Sequence, residues 1–233
     1  MRIGIHQPNF LPWMGYFYKI SLCDTFVFLD HVEYTKNSYT KRVKIHKPND
    51  FLKEQYLTVP LQKHSDYASI NSLQIANDIS WQKKIAALVY ETYHKAPFYN
   101  QIEPLEEIFF KTPLKTTSFS AFNIEIIKYI SEILGLKPKW ILSSELDIPN
   151  SKQNVNLEIA TQLKGKTYLS GLGAKKYQDE SPFLERNMKL EYSDYPKKFK
   201  ELDFPTHFLN KSILSYLACF PLALLKDNIT CKL

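Results

Sequence analysis

His6, Gln7 and Pro8 follow a short apolar run near the start of the chain, and these residue types could do chemistry there. An imidazole can donate to an anion, or it can exchange a proton near neutral pH. An amide and a rigid turn beside it suit a place where phosphates or substrates bind. We therefore predict His6 as a catalytic residue and Gln7 and Asn9 as substrate contacts. The alternative is a histidine with a purely structural role.

Glycines are scarce in this sequence, which makes each one informative. The chain has six, whereas about sixteen would be expected at average usage. Gly171 and Gly173 flank Leu172 directly after the run Tyr-Leu-Ser, where a residue without a side chain lets the backbone approach a ligand or take positive φ. Ser170, Gly171, Gly173 and Tyr177 are accordingly predicted substrate contacts. An ordinary tight turn is the alternative.

An acidic residue followed by a basic stretch is the third candidate. Asp30 ends the apolar run TFVFLD, and Tyr34, Lys36 and Arg42 follow it. A carboxylate can orient a hydroxyl or an amine, and cations neutralise phosphate. We predict Asp30 as catalytic and the other three as substrate contacts. An exposed charged loop would have the same composition.

The segment PNFLPWMGYF leads into a predicted helix, and the first amides of a helix can hold a phosphate. Gly15 would permit close approach of a ligand and is a predicted substrate contact. Trp13 and Tyr16 can stack on a base or sugar, although aromatic residues at a helix start are as often part of a core. The sequence contains no HExxH, CxxC, GxSxG or P-loop motif, so we predict no metal site.

A parallel sheet would bring these candidates together. Residues 2–6 and 25–30 are predicted strands joined by a helix, and this β-α-β opening favours parallel pairing with a right-handed crossover. In open parallel sheets, ligands bind beyond the carboxyl ends of the strands. We therefore expect His6, Asp30 and Ser170 to converge on one cavity.

The rest of the chain resumes the alternation of helices and strands after residues 43–75, which are predicted as strands or an edge hairpin. The apolar C-terminal helix is predicted to pack against the sheet or against a partner. The sequence predicts an α/β fold in one domain over residues 1–233, with a mostly parallel sheet and helices on both faces. The other predicted elements are helices at 15–23, 121–134, 157–163 and 213–220, a helix beginning at Trp81 and ending before Pro97, and strands at 140–146 and 167–170.

Composition narrows the class of protein. No apolar run approaches the roughly 20 residues that span a bilayer, and no signal peptide is visible. Three cysteines are too few and too scattered for a disulfide scaffold or a zinc site, which favours a reducing, cytoplasmic location. The net charge of +6 suits phosphate-bearing ligands. Because acids are interspersed among the bases, nucleic-acid binding is not favoured.

Several blocks of this sequence resemble the WbqC-like family. The opening HQPNFLPWMGYF matches its QPxxxPxxGYF run, and a D-x-F strand and a Y-x-K segment follow. WQKKIAALVYETYHKAPFY, TYLSGLGAKKYQDESPF and MKLEYSDY resemble later blocks in the same order, so the likeness covers nearly the whole chain. Lys41 stands where the family pattern has an asparagine before Arg42, so no role for that amide carries over.

The resemblance implies a pathway, because the family is associated with gene clusters for bacterial surface polysaccharides that contain amino sugars. The implied function is a transferase acting on a nucleotide-linked amino sugar in O-antigen or surface-polysaccharide biosynthesis, by N-acyl or aminoacyl transfer to the sugar amine. An acyl or aminoacyl donor, or ATP, would be the co-substrate. The alternatives are a non-catalytic nucleotide-sugar-binding or assembly protein and, third, RNA binding through residues 36–47. Homo-oligomerisation stays open.

A fainter resemblance is to the nucleotidylyltransferase-type α/β fold, whose HxGH motif holds ATP phosphates at a helix start. The corresponding tetrad here is Trp13, Met14, Gly15 and Tyr16, and it lacks both histidines. The resemblance therefore implies a nucleotidylyltransferase-like or Rossmann-like core without adenylyl transfer of the usual kind.

Overall fold

The structure, a computed structural model, describes residues 1–78, 80–148, 154–176 and 178–230. Its strands are β1 (Arg2–His6), β2 (Thr25–Phe28), β3 (Arg42–Lys47), β4 (Asp50–Thr58), β5 (Lys139–Leu142), β6 (Thr167–Gly171) and β7 (Lys189–Ser193). Its α-helices are α1 (Met14–Ser21), α2 (Ser80–Tyr93), α3 (Glu103–Glu106), α4 (Phe119–Ile133), α5 (Val155–Gln162), α6 (Ser181–Glu185), α7 (Tyr195–Glu201), α8 (Ile213–Cys219) and α9 (Leu222–Thr230). A π-helical segment, Glu107–Lys111, continues α3.

The main sheet has five strands in the described part of the chain, in the order β5-β2-β1-β6-β7, and every neighbouring pair is parallel. The predicted α/β class with a mostly parallel sheet is confirmed. Counted along the chain, the sheet strands lie in the order 3-2-1-4-5, which is that of Rossmann-type sheets. The connections from β1 and from β6 leave in opposite directions, so a crevice forms between the carboxyl ends of these two strands.

Two apolar clusters cover the two faces of the sheet. The larger one packs α1, α4 and α8 together with Phe26 and Phe28 of β2. The smaller one packs α5 and α6 on Ile3, Ile5 and Val27. Helices on both faces follow from the alternation of side chains along each strand, since β2 contributes Phe26 and Phe28 to one face and Val27 to the other. Helix α8 is the apolar helix predicted near the C-terminus. It belongs to the larger core together with residues of β2, in agreement with the predicted packing against the sheet.

The segment between β2 and α2 contains an antiparallel hairpin, β3 and β4, which forms a sheet of its own. This agrees with the predicted hairpin, although residues 61–75 contribute isolated bridges in place of strands. The strand predicted at 140–146 ends at Leu142, because Ser143–Glu145 form a 3-10 turn. Gly135 has a φ of +76° after α4, the left-handed conformation that glycine commonly adopts directly after a helix.

Helix lengths and polarity also bear on membrane insertion. Within the described residues, no helix combines the length and the apolar character needed to cross a bilayer. The assignment of residues 1–233 to a single domain stays a prediction.

His46 gives the hairpin a pH-dependent stability. It is fully buried in β3, and its ring stacks on Phe51 with centroids 4.5 Å apart. Burial, and next the charges of Lys211 and His207, lower the pKa of His46 to about 4. As pH falls from about 6.5 towards 4, the unfolded chain therefore takes up a proton that the native state does not, which would cost about 3 kcal/mol of stability.

We expect the free energy of unfolding to fall by at least this amount between neutral pH and about pH 4 in urea titrations, because any other histidine buried in its neutral form adds to the loss. His46→Phe keeps the stacking and removes one titrating group, so it should reduce the loss by about 3 kcal/mol. Parallel pH profiles for the two proteins would contradict the assignment.

Candidate functional site

A cavity of 580 Å³ opens at the crevice between the carboxyl ends of β1 and β6. Five of the predicted residues line it: His6, Gly15, Ser170, Gly171 and Gly173. Open α/β sheets bind ligands at this crevice because loops from the two strands diverge there. The structure thus brings the segment after β1 together with the glycine loop after β6. We call it the first cavity.

Lysines give the first cavity its charge. Lys19 and Lys176 line it, and none of the described residues around it is acidic. Lys19 lies on α1 with only 3% of its surface exposed, and its Nζ donates to the carbonyl oxygen of Ile5 at 2.7 Å. Burial lowers the pKa of Lys19 to about 8. A buried ammonium in a cavity without carboxylates favours an anionic ligand.

Lys19 was not among the predicted site residues. The signal for it in the sequence is a lysine within the apolar run MGYFYKI. This run forms the short helix α1, and most residues of α1 are buried. A lysine on the inward side of such a helix requires either a partner or a cavity.

His6 is held as a neutral ring with a defined tautomer. Its Nδ1 lies 3.1 Å from the carbonyl oxygen of Gln7, and because a carbonyl can only accept, Nδ1 carries the proton. The hydroxyl of Tyr16 donates to the same oxygen at 2.9 Å. Part of His6 is accessible, yet burial of the ring, and next the charge of Lys19, lower its pKa to about 3. At neutral pH, Nε2 is therefore an unprotonated acceptor.

The loop from β1 to α1, residues 7–13, is fixed from outside by side chains distant in sequence. Asn123 of α4 donates to the carbonyl oxygen of Pro8 at 2.9 Å, and Ser212, the N-cap of α8, donates from its hydroxyl to that of Leu11 at 2.8 Å. Leu11 has a φ of +42°, a left-handed conformation that costs energy for a bulky residue. We call this segment the site loop, and its backbone is positioned before any ligand binds.

Gly171 and Gly173 contribute open space to the first cavity and do not adopt an unusual backbone conformation. Neither Gly171 nor Gly173 has a positive φ, so that part of the prediction is wrong, and a Cβ on either would meet no atom within 4 Å. Their missing side chains keep the cavity open. Gly15 differs, because a Cβ there would come within 2.8 Å of three ring atoms of Trp13. It allows the indole to lie against the helix.

Asp30 is not brought to His6 and Ser170. It is buried with 3% exposure, and its carboxylate accepts hydrogen bonds from the Ser143 hydroxyl at 2.9 Å and from the amide and hydroxyl of Ser144 at 2.9 and 2.7 Å. These donors belong to the 3-10 turn after β5. Asp30 therefore connects the carboxyl ends of β2 and β5 and does not line the first cavity.

Asp30→Ala should lower the free energy of unfolding by about 1–3 kcal/mol, because it leaves the buried Ser143 hydroxyl without its acceptor and removes two hydrogen bonds from the exposed Ser144. Ser144→Ala removes only its hydroxyl donor and should cost about 1 kcal/mol. Urea unfolding measures both. Native stability of Asp30→Ala, combined with a loss of ligand binding, would instead support the catalytic role predicted from the sequence.

The predicted phosphate contacts Lys36 and Arg42 do not line the first cavity. Lys36 is exposed and forms an ion pair with Asp66 at 2.6 Å. Arg42 begins β3, and its guanidinium lies 4.7 Å from the ring centre of Tyr56. Lys36 lies in the loop before the hairpin and Arg42 on its first strand.

The remaining predicted contacts have different locations. Tyr34 is buried beside the rings of His64 and Phe119 and does not line the first cavity either. Gln7 does not line the first cavity, but its carbonyl oxygen accepts the hydrogen bonds from His6 Nδ1 and the Tyr16 hydroxyl. Asn9 lines a smaller cavity, which is described below. Tyr177 lies outside the described residues.

A surface groove of 590 Å³ lies beside the edge strand β5 and is lined by Tyr129, Trp140 and charged residues of both signs. It is as large as the first cavity but lies away from the carboxyl ends of β1 and β6. Its mixed charge gives no preference for an anion, so we assign the candidate site to the first cavity.

Comparison with known proteins gives a family match and one uncharacterised relative. The model of the WbqC-like protein family matches residues 7–220, a range that extends from the site loop through α8. The uncharacterized protein Rv1507c of Mycobacterium tuberculosis (strain ATCC 25618 / H37Rv) is 26% identical over 204 residues, which is 86% of each chain. No solved structure matches the chain significantly.

Proposed function

This chain belongs to the WbqC-like protein family, and on that premise we propose that it is a cytoplasmic transferase that modifies the amine of a nucleotide-linked amino sugar for bacterial surface polysaccharides. The observation that carries the proposal is the first cavity, which lies at the sheet crevice and contains a buried lysine but no acidic residue among its described lining. A diphosphate is the part of such a substrate that requires this charge.

Size and helix orientation support the same substrate class. The 580 Å³ of the first cavity equals about twenty water volumes, which is within the usual range of small-molecule sites. Gly15, in the first turn of α1, lines it, so the positive end of that helix dipole lies beside the cavity, while Lys19 reaches the cavity from the last turn of the same helix. We assign the diphosphate to this region and the sugar amine to the neighbourhood of His6.

The chemistry is formation of an amide. The amine nitrogen attacks the carbonyl carbon of an acyl or aminoacyl donor, the C–N bond forms, and the bond to the leaving group breaks with its electron pair. The amine proton passes to Nε2 of His6. In the free protein, a pKa of about 3 makes His6 a weak base. A bound diphosphate would offset the charge of Lys19 and raise the pKa of His6.

Calorimetry with a panel of UDP- and dTDP-linked amino sugars tests the proposal, followed by product analysis with candidate donors. We expect binding that weakens with salt. His6→Ala should bind the nucleotide sugar as the wild type does and lose about 10²–10⁴-fold in turnover. Absence of binding across the panel would remove the proposal.

A non-catalytic nucleotide-sugar-binding or assembly protein of the same pathway is the second candidate. The low pKa of His6 favours it, since such a ring is a poor base until a ligand changes its surroundings. It predicts nucleotide-sugar binding by the wild type without product from any donor, and no effect of His6→Ala on polysaccharide output.

A further inference from the structure

A second cavity, of 220 Å³, lies beside the first one. His6 and Trp13 line both cavities and therefore stand between them. The second cavity is further enclosed by the site loop, the start of the hairpin and the approach to α8, through Asn9, Tyr39, Val43 and Asn210. A histidine with one cavity on each side is placed where two substrates can meet.

The second cavity differs from the first in charge. Its described lining is aromatic and aliphatic, and its polar groups are the amides of Asn9 and Asn210, the Tyr39 hydroxyl, the Trp13 indole N–H and the neutral His6. No lysine, arginine or carboxylate lines it among these residues. Amide donors can hold a carbonyl oxygen, whereas a charged group would find no counter-charge in this lining.

Its volume limits what it can hold. At about 30 Å³ per water molecule, 220 Å³ accommodates roughly seven water-sized groups. A nucleotide is much larger than this, and a short acyl group with its carbonyl fits.

We propose that the second cavity binds the acyl group of the second substrate, and that this group is short and uncharged. The inference rests on the proposed function and sharpens it, because the α-ammonium of an aminoacyl group would have no counter-charge here. With an acyl thioester as donor, the sugar amine attacks from the first cavity and forms the C–N bond. The C–S bond breaks with its electron pair on sulfur, and the amine proton passes to His6 Nε2.

The test uses two small amides as probes, which avoids dependence on the full donor. Propionamide mimics a short acyl group, and glycinamide adds the α-ammonium of an aminoacyl group. Side-chain amide signals of Asn9 in two-dimensional NMR should shift saturably with propionamide and at least about tenfold more weakly with glycinamide. Asn210 is exposed, so Asn210→Trp should fold normally, fill the second cavity and abolish the shift.

Gly171→Val is the matched variant for the first cavity. It should keep the propionamide response and lose UDP-amino-sugar binding in calorimetry, whereas Asn210→Trp should bind the UDP-amino sugar within about twofold of the wild type. No saturable response to propionamide, an equal response in Asn210→Trp, or equal binding of glycinamide would overturn the inference. If propionamide responds as expected while no nucleotide sugar binds to the wild type, the proposed function fails and the second cavity remains a site for a small uncharged group.

Discussion

Lys19→Met is expected to weaken binding of a nucleotide-linked amino sugar about 100-fold while leaving the fold at least as stable. Charge-assisted hydrogen bonds contribute about 1.5–3 kcal/mol each, so loss of the ammonium beside a diphosphate has a large effect. In the free protein the same ammonium is unfavourable, because holding it charged at a pKa of about 8 costs about 3 kcal/mol. Methionine fills a similar volume, and the unsatisfied Ile5 carbonyl offsets part of the gain.

The pH profile identifies the lysine responsible. Between about pH 8 and 10.5, the unfolded chain retains the Lys19 proton that the native state releases, so the stability of the wild type should rise by about 3 kcal/mol across this range. Lys19→Met lacks that rise, and the difference between the two urea-derived profiles removes the contribution of tyrosines.

Lys176→Met is the control for this substitution, because Lys176 lines the same cavity but is exposed. It should reduce binding less and keep the Lys19-dependent rise in stability between about pH 8 and 10.5. Wild-type affinity of Lys19→Met in calorimetry would show that the anion binds elsewhere.

Gly171→Val should reduce nucleotide-sugar affinity by about 10- to 100-fold without a loss of stability. The isopropyl group would enter the space that a ligand needs, and overpacking of this kind costs about 1–3 kcal/mol. The free protein has room for it, since a Cβ at Gly171 meets no atom within 4 Å. Valine also suits the end of a strand. Calorimetry and urea unfolding measure the two effects separately.

Gly135→Ala is the opposite control, because Gly135 ends α4 with a φ of +76° and does not line the first cavity. Strain there should lower the free energy of unfolding by about 1–2 kcal/mol and leave binding intact. Undiminished affinity of Gly171→Val would place the ligand outside the first cavity.

The sequence predicted the pairing of His6 with the glycine loop because parallel strands bring their carboxyl ends to one edge, whatever lies between them in the chain. Residues 2–6 and 167–170 were recognisable as strands from their apolar runs, so the convergence followed from topology. The same rule failed for Asp30, which also follows a strand. The position of the Asp30 carboxylate depends on hydrogen bonds from Ser143 and Ser144, which lie more than 110 residues away in the sequence. No local sequence pattern predicts such partners.

Lys19, Lys36 and Arg42 show a second limit. Their charge is visible in the sequence, but their use depends on packing. Arg42 does not line the first cavity because it belongs to a hairpin that forms its own sheet, and Lys36 pairs with Asp66 at the surface, whereas Lys19 lines it because α1 is buried nearly all round. Strand β7 was missed because KLEYS has a weak apolar pattern and borders the sheet.

The hydrogen bond from Ser212 to Leu11 joins residues 201 positions apart, and Lys44 accepts from the Ser212 amide. At a synthesis rate of about 5–20 residues per second, roughly 10–40 s pass between synthesis of the site loop and synthesis of Ser212, which holds it. All five strands of the main sheet have by then been translated. The residues that form the β-sheet are therefore synthesised before the last residue that anchors the ligand site.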